Sequence, residues 1–186
     1  MSVIPVNETL KYINEARTHP RDFAKYVKKE LDSFINNSTL PLKPGCNYAT
    51  NEGKSAWNEA YQFLLNQKPL PAYQLNQGLN LAAEDHAIDM AKSGIFGHNS
   101  SDGKPFTARI EKRCGKAYGS SGENIGTDFM VKGRNHALQT VMGLIIDDGV
   151  TSRGHRKNIF STDFKYIGIA SRVQDDKIIT VMDFHS

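Results

Sequence analysis

Apolar positions recur at helical intervals over most of the chain, and strand-like runs appear only near its end. Leu10, Ile13 and Ala16 mark one helical stripe from Thr9 to Ala16, which His19-Pro20 interrupts because proline lacks the N–H a helix interior needs. Pro20 suits a first helical turn, so a second helix is predicted with Phe23, Val27, Leu31 and Phe34 on one face and Ala24 and Ile35 beside them. Between Asn36 and Lys54 the text turns to Asn, Ser, Thr, Pro and Gly and predicts a long surface loop. Ser55 is a candidate cap for a third helix that buries Trp57, Tyr61, Leu64 and Leu65.

The clearest periodicity belongs to Leu79, Ala82, Ala83, His86, Ala87 and Met90, and Gly94 is placed to end that helix in the left-handed conformation. Lys104-Pro105 opens a short helix carrying Phe106 and Ile110. A further helix follows in "NHALQTVMGLIIDDG", buried through Leu138, Val141, Met142 and Ile145 and ended by Gly149. The period then changes. "KYIGIASRV" and "KIITVMDF" read as two antiparallel strands joined by a tight turn at "QDD", and Gly126 to Val131 as an edge or connecting strand. Helices followed by a small antiparallel sheet define an α+β domain, layered α-β-α rather than doubly wound, and residues 1–186 fit one such unit.

Composition narrows the class without naming a function. Hydrophobic residues make up 39% and charged residues 23%, values of a globular rather than a disordered chain. A formal charge of +3 is too small an excess to imply nucleic acid, and no apolar run reaches the length of a membrane span. The start lacks a basic segment followed by a long apolar run, so it does not read as a signal peptide. Cys46 and Cys114 leave two readings open, one long-range disulfide or two free thiols, and no CxxC pair points to a metal or redox site.

Candidate chemistry gathers in three short polar stretches. His98 stands in "FGHNSSDG" just after a helix end, Glu123 between Gly122 and Asn124, and His155 between Gly154 and Arg156. Two imidazoles and a carboxylate can make three ligands of an open zinc site, or an acid–base set around a bound water. The spacing matches no local metal signature, so a shared cleft and scattered turn-stabilising roles both stand. His86, on an apolar helix face, reads as a buried histidine satisfied by a hydrogen bond, and Asp89 as a holder of the neighbouring loop. Ser120 and Ser121 lack the GxSxG setting of a nucleophile and read as loop caps. Asp147 and Asp148 end a helix where negative charge is unfavourable, which makes Arg153 or Arg156 the expected compensation. Asn158 reads as a turn residue.

Taken together, "LNLAAEDHAIDMAKSGIFGHNSSDG", "GENIG" and "DDGVTSRGHRKNIFSTDFKYIGIA" resemble the motifs of the CAP superfamily, the cysteine-rich secretory protein, antigen 5 and pathogenesis-related domain, in its microbial, SCP-like branch. "INEARTHP" resembles the first helix and "VMDF" the last strand of that family, so the likeness runs over nearly the whole chain. It implies an α-β-α sandwich with two histidines and two acids in a central cavity. By motif, His98 and His155 are the histidines and Glu123 the first acid; the second falls on Met142 and Ile145, so Asp147 or Asp148 would have to replace it.

The resemblance implies a secreted, extracellular binding or interaction module, monomeric or weakly dimeric. The implied ligand is a lipid, a sterol or a partner protein, not nucleic acid. Cavity residues are then His98, Glu123, His155, Asp147, Asp148 and Arg156. No cofactor is required. The alternative is a metal-assisted hydrolase or peptidase with zinc or another divalent cation on His98, His155 and Glu123. A missing second acid weighs against turnover.

Overall fold

The computed structural model describes residues 2–115 and 119–186; residues 116–118 of the glycine-rich connection lie outside the described residues. In chain order the elements are α1 (Val6–Thr18), α2 (Pro20–Asp32), β1 (Thr39–Lys43), β2 (Cys46–Ala49), α3 (Lys54–Asn66), β3 (Gln74–Leu75) and α4 (Gln77–Ser93). They continue with α5 (Phe106–Cys114), β4 (Ser121–Phe129), α6 (His136–Ile146), α7 (Gly154–Ile159), β5 (Tyr166–Gln174) and β6 (Lys177–His185). The main sheet runs β3-β5-β6-β4, with β5 and β4 each antiparallel to β6 and β3 parallel to β5.

Alternation along the strands divides the core between two helical layers. Ile169, Met182 and Phe184 join Ile13, Phe23, Val27, Leu64, Val141 and Ile145 on the side of α1, α2, α3 and α6. Ile125, Ala170, Ile179 and Val181 point the other way and meet Ala83, Ala87 and Met90 of α4. The result is the layered α-β-α sandwich that the periodicity predicts. Alanines let α4 sit close to the sheet, and at Gly168 the approach is closest, since a Cβ there would lie 2.0 Å from the Leu79 carbonyl carbon. β3 ends after two residues, and beyond it the Asn80 side-chain oxygen accepts from the Ile169 N–H (2.7 Å). Residues Ser2 to Ile4 cover the next stretch of β5 through Ser171. An otherwise open edge is thereby closed.

Helix punctuation agrees with the sequence at α2, where Pro20 opens the first turn, and at α4, where Gly94 adopts φ 73. Elsewhere the structure corrects it. The segment expected as one long loop contains the β1–β2 hairpin, in which Pro41 falls at a register shift and so breaks no regular ladder. Gly53, not Ser55, occupies the cap of α3. Asp147, in the left-handed conformation, ends α6 before Gly149 is reached. β4 begins at Ser121 rather than Gly126, and the stretch around His155 is a short helix rather than a loop.

Arg17 ties the α1 layer to the end of α7. It is 2% exposed, donates to the carbonyls of Pro71 (2.7 Å), Ile159 (2.6 Å) and Ser161 (2.9 Å), and lies 3.6 Å over the Tyr73 ring. Burial lowers its pKa, and these carbonyls and the ring face take the place of a counter-ion.

Gly168→Ala should destabilise the protein by about 2–3 kcal/mol, because the new methyl meets α4 backbone rather than a movable side chain. Urea unfolding of the variant beside wild type measures this, and an unchanged midpoint would show that α4 can retreat freely.

Candidate functional site

His98 is delivered to the sheet by a loop held from two helices. The Nε2–H of His86, a fully buried residue, donates to the Gly97 carbonyl (2.7 Å), and Asp89 receives both the amide (2.7 Å) and the hydroxyl (2.6 Å) of Ser101. Arg109 of α5 donates to the His98 carbonyl (3.0 Å) and to Ser100 Oγ (2.8 Å). The ring then reaches β4, where its Nδ1–H donates to Glu123 Oε1 at 2.8 Å. Glu123 is therefore not a carboxylate loose in a glycine loop. Its side chain is 0% exposed, and its second oxygen accepts from Arg109 at 2.5 Å.

Opposite Glu123 in the ladder stands Asp183, fully buried. Burial pushes its carboxyl well above the usual range, and the Glu123 charge adds to that shift. The bond to Glu123 raises the pKa of His98. Burial lowers that of His86.

His155 is positioned from the other face of the same strand. Asp147 accepts its Nδ1–H (2.6 Å) and its amide (3.0 Å), so one carboxylate both caps α7 and orients the ring. The His155 carbonyl accepts from Asn124 Nδ2 (3.0 Å), and Asn158 donates to Asn124 Oδ1 (2.8 Å). Adjacent residues 123 and 124 thus point to opposite faces of β4, and each serves one histidine.

Both imidazoles use Nδ1 for an acid, which directs the Nε2 lone pair of the neutral ring outward. A shared zinc centre does not follow from this. Glu123 spends its oxygens on His98 and Arg109, and among the described residues no group of three His, Cys, Asp or Glu side chains could hold a metal ion.

The remaining candidates have other work. Ile145 and Met142 lie in the core, and the acid that meets His155 is Asp147. Asp148 accepts from the amides of Asn51 and Glu52, both at 2.7 Å. Arg156, 5% exposed, donates to the carbonyls of Ile145 (2.5 Å) and Ile146 (3.1 Å) and to Glu59 (2.7 Å). Arg153 takes Glu52, Glu59 and the Asp147 carbonyl, and the two arginines hold Glu59 down at about 2. The expected compensation at the end of α6 is therefore made to helix carbonyls, not to Asp147 or Asp148 side chains. Ser121 Oγ shares a hydrogen bond with His185 (3.0 Å).

Beside His155 and Asp147 a cavity of about 420 Å³ opens between α6, the end of β4, and the Tyr48 and Trp57 region. A model of CAP, the cysteine-rich secretory protein family, matches residues 10–184. The chain belongs to the CAP family. The Bacillus subtilis protein YkwD is 33% identical over 103 residues, which cover 55% of this chain and 34% of YkwD. An outer surface protein from Borrelia burgdorferi superposes with a TM-score of 0.50 at 19% identity, covering 63% of this chain and 79% of its own. An extracellular SCP-domain protein from Bacillus anthracis gives 0.48 at 24% identity, covering 62% and 34%. The likeness to the Borrelia protein bears on the fold alone.

Two members of this cluster were not legible in the sequence. Arg109 stands next to Ile110 on the packed side of a short helix. Asp183 interrupts an apolar strand at an inward position shared with Ile179 and Val181, and that period-2 placement is a signal for a buried acid. Of the two readings left open for the cysteines, the structure has two free thiols, Cys46 half-buried and Cys114 exposed.

Glu123→Gln should lower the His98 titration midpoint, followed by imidazole NMR. It should also cost about 3–5 kcal/mol in urea unfolding, because Arg109 loses its buried counter-charge. In wild type the raised His98 pKa makes the pair's stabilisation complete below the ordinary histidine value of about 6.5 and removes it as pH climbs through the folded midpoint. A His98 midpoint that ignores the substitution would contradict the contact.

Proposed function

We propose that this CAP domain is a secreted binding or interaction module that holds a ligand intact. The observation that carries the reading is the cavity of about 420 Å³ with the oriented His155–Asp147 pair in its wall, a volume within the roughly 300–1,000 Å³ of small-molecule sites. The carboxylates that would serve as general base or third metal ligand are already committed. Glu123 is locked by His98 and Arg109, and Asp147 by His155 and the first turn of α7. That arrangement favours holding over turnover. Among the described residues no helix is long and apolar enough to cross a membrane. Secretion belongs to the same reading and draws on the family's description and on the outer-surface designation of the Borrelia protein.

The resemblance implies lipid, sterol or protein ligands; the first two form arms of the test, with saccharides beside them. Native mass spectrometry of the protein with cholesterol, palmitate and short saccharides should give a one-to-one adduct of unaltered ligand mass, reduced about tenfold in His155→Ala. Peptide and ester turnover is followed in parallel with and without zinc. Turnover that disappears in His98→Ala while the far-ultraviolet dichroism is retained would replace the binding reading with an enzymatic one.

A further inference from the structure

We propose that the cavity beside His155 is a saccharide site, floored by the Thr140–Gly143 face of α6 and walled by Glu30, Arg134 and Gln139. This rests on the binding reading above and names the ligand class of that cavity.

Gly143 is the first reason. It lies inside α6, where glycine costs helix stability relative to alanine, and either close packing or an open functional surface can offset that cost. Packing supplies none, since a Cβ at Gly143 would meet nothing within 4 Å. At Gly168, by contrast, the space is filled by α4. What the missing side chain does is leave bare backbone on the cavity wall. One turn earlier, Thr140 also lines the cavity, and its buried hydroxyl has no hydrogen-bond partner, not even the carbonyl four residues back that helical threonines commonly use. A bare surface and an unused hydroxyl therefore share one helix face.

Around them the polar wall is already assembled. Trp57 Nε1 donates to Glu30 Oε2 (2.9 Å), Arg134 lies 3.7 Å from Glu30 Oε1, and Arg134 donates to Gln139 Oε1 (2.5 Å). Burial pushes the Glu30 carboxyl up. The other acids of the wall each hold a donor already, Asp128 from His136, Asp147 from His155 and Asp148 from the amides of Asn51 and Glu52. An anion meets four acids against Arg134 and Lys177, a cation finds each of those acids already holding a donor, and a lipid tail would bury the Glu30–Arg134 frame dry. Hydroxyls suit it, because each can donate to a carboxylate and accept from a guanidinium or an amide. Phe96 and Phe129, 57% and 38% exposed, stand at the rim and offer apolar faces to the C–H side of a sugar ring.

The chain's single tryptophan lines this cavity and reports on it directly. Titrating the whole chain with glucose, N-acetylglucosamine and their β-1,4-linked oligomers should change Trp57 fluorescence saturably and with little dependence on salt. Gly143→Ala should raise the thermal midpoint by about 2–4 °C yet weaken that response about tenfold, and Gly143→Leu should abolish it. Absence of a response to all these sugars, or a wild-type response in Gly143→Leu, overturns the saccharide site. A response to cholesterol or palmitate alone overturns it too but preserves the binding module, as does an adduct sensitive to His155→Ala that leaves Trp57 unchanged. Failure of every ligand in both experiments removes the saccharide site together with the small-ligand form of the binding reading.

Discussion

One carboxylate, that of Asp147, determines how the second half of the site is built. Its backbone turns into the left-handed conformation at the end of α6, so the side chain swings forward to the first turn of α7. There it takes the amide and the Nδ1–H of His155. Without that contact α7, only six residues long, would have little to define its start, since its cap residue Arg153 provides no side-chain bond. Helix end, helix start and ring orientation are thus one interaction. The arginines behind it, paired to Glu52 and Glu59, fix the surrounding carbonyls.

The other half of the site is held by burial rather than by capping. Glu123 faces the α4 layer, away from solvent, where Arg109 and His98 engage its two oxygens. Asp183, across the ladder from it, answers the same burial with a carboxyl pKa pushed well above the usual range. An edge strand is needed for this division. β4 has a neighbour on one side only, so Asn124 and Asn158 can bring α7 against it while Glu123 turns inward.

The cavity lies where this rigid framework stops. It is bounded by the far end of β4, by the face of α6 that carries Gly143, and by a hairpin that belongs to no larger sheet. A stable scaffold with a less constrained wall is the usual setting for ligand selectivity.

Periodicity alone determined the helical layers, the terminal hairpin and the α-β-α class, because burial of one face imposes spacings of three and four or of two on whichever residues are used. Local chemistry also placed Pro20 and Gly94 and marked His86 as a core residue. Motif order pointed to His98, Glu123 and His155. What those residues touch could not be read, since their partners lie far along the chain and meet them only through sheet register and helix packing. Glu123 is 14 residues from Arg109 and 25 from His98, and Asp183 reaches it across a strand pair. The α7 helix was hidden because its cap is a side chain eight residues upstream, and β1–β2 because Pro41 and Pro44 read as loop until a bulge and a turn absorb them. Spacing is a property of one segment, whereas a buried charge is defined by the segments that surround it, and only the tertiary fold decides which those are.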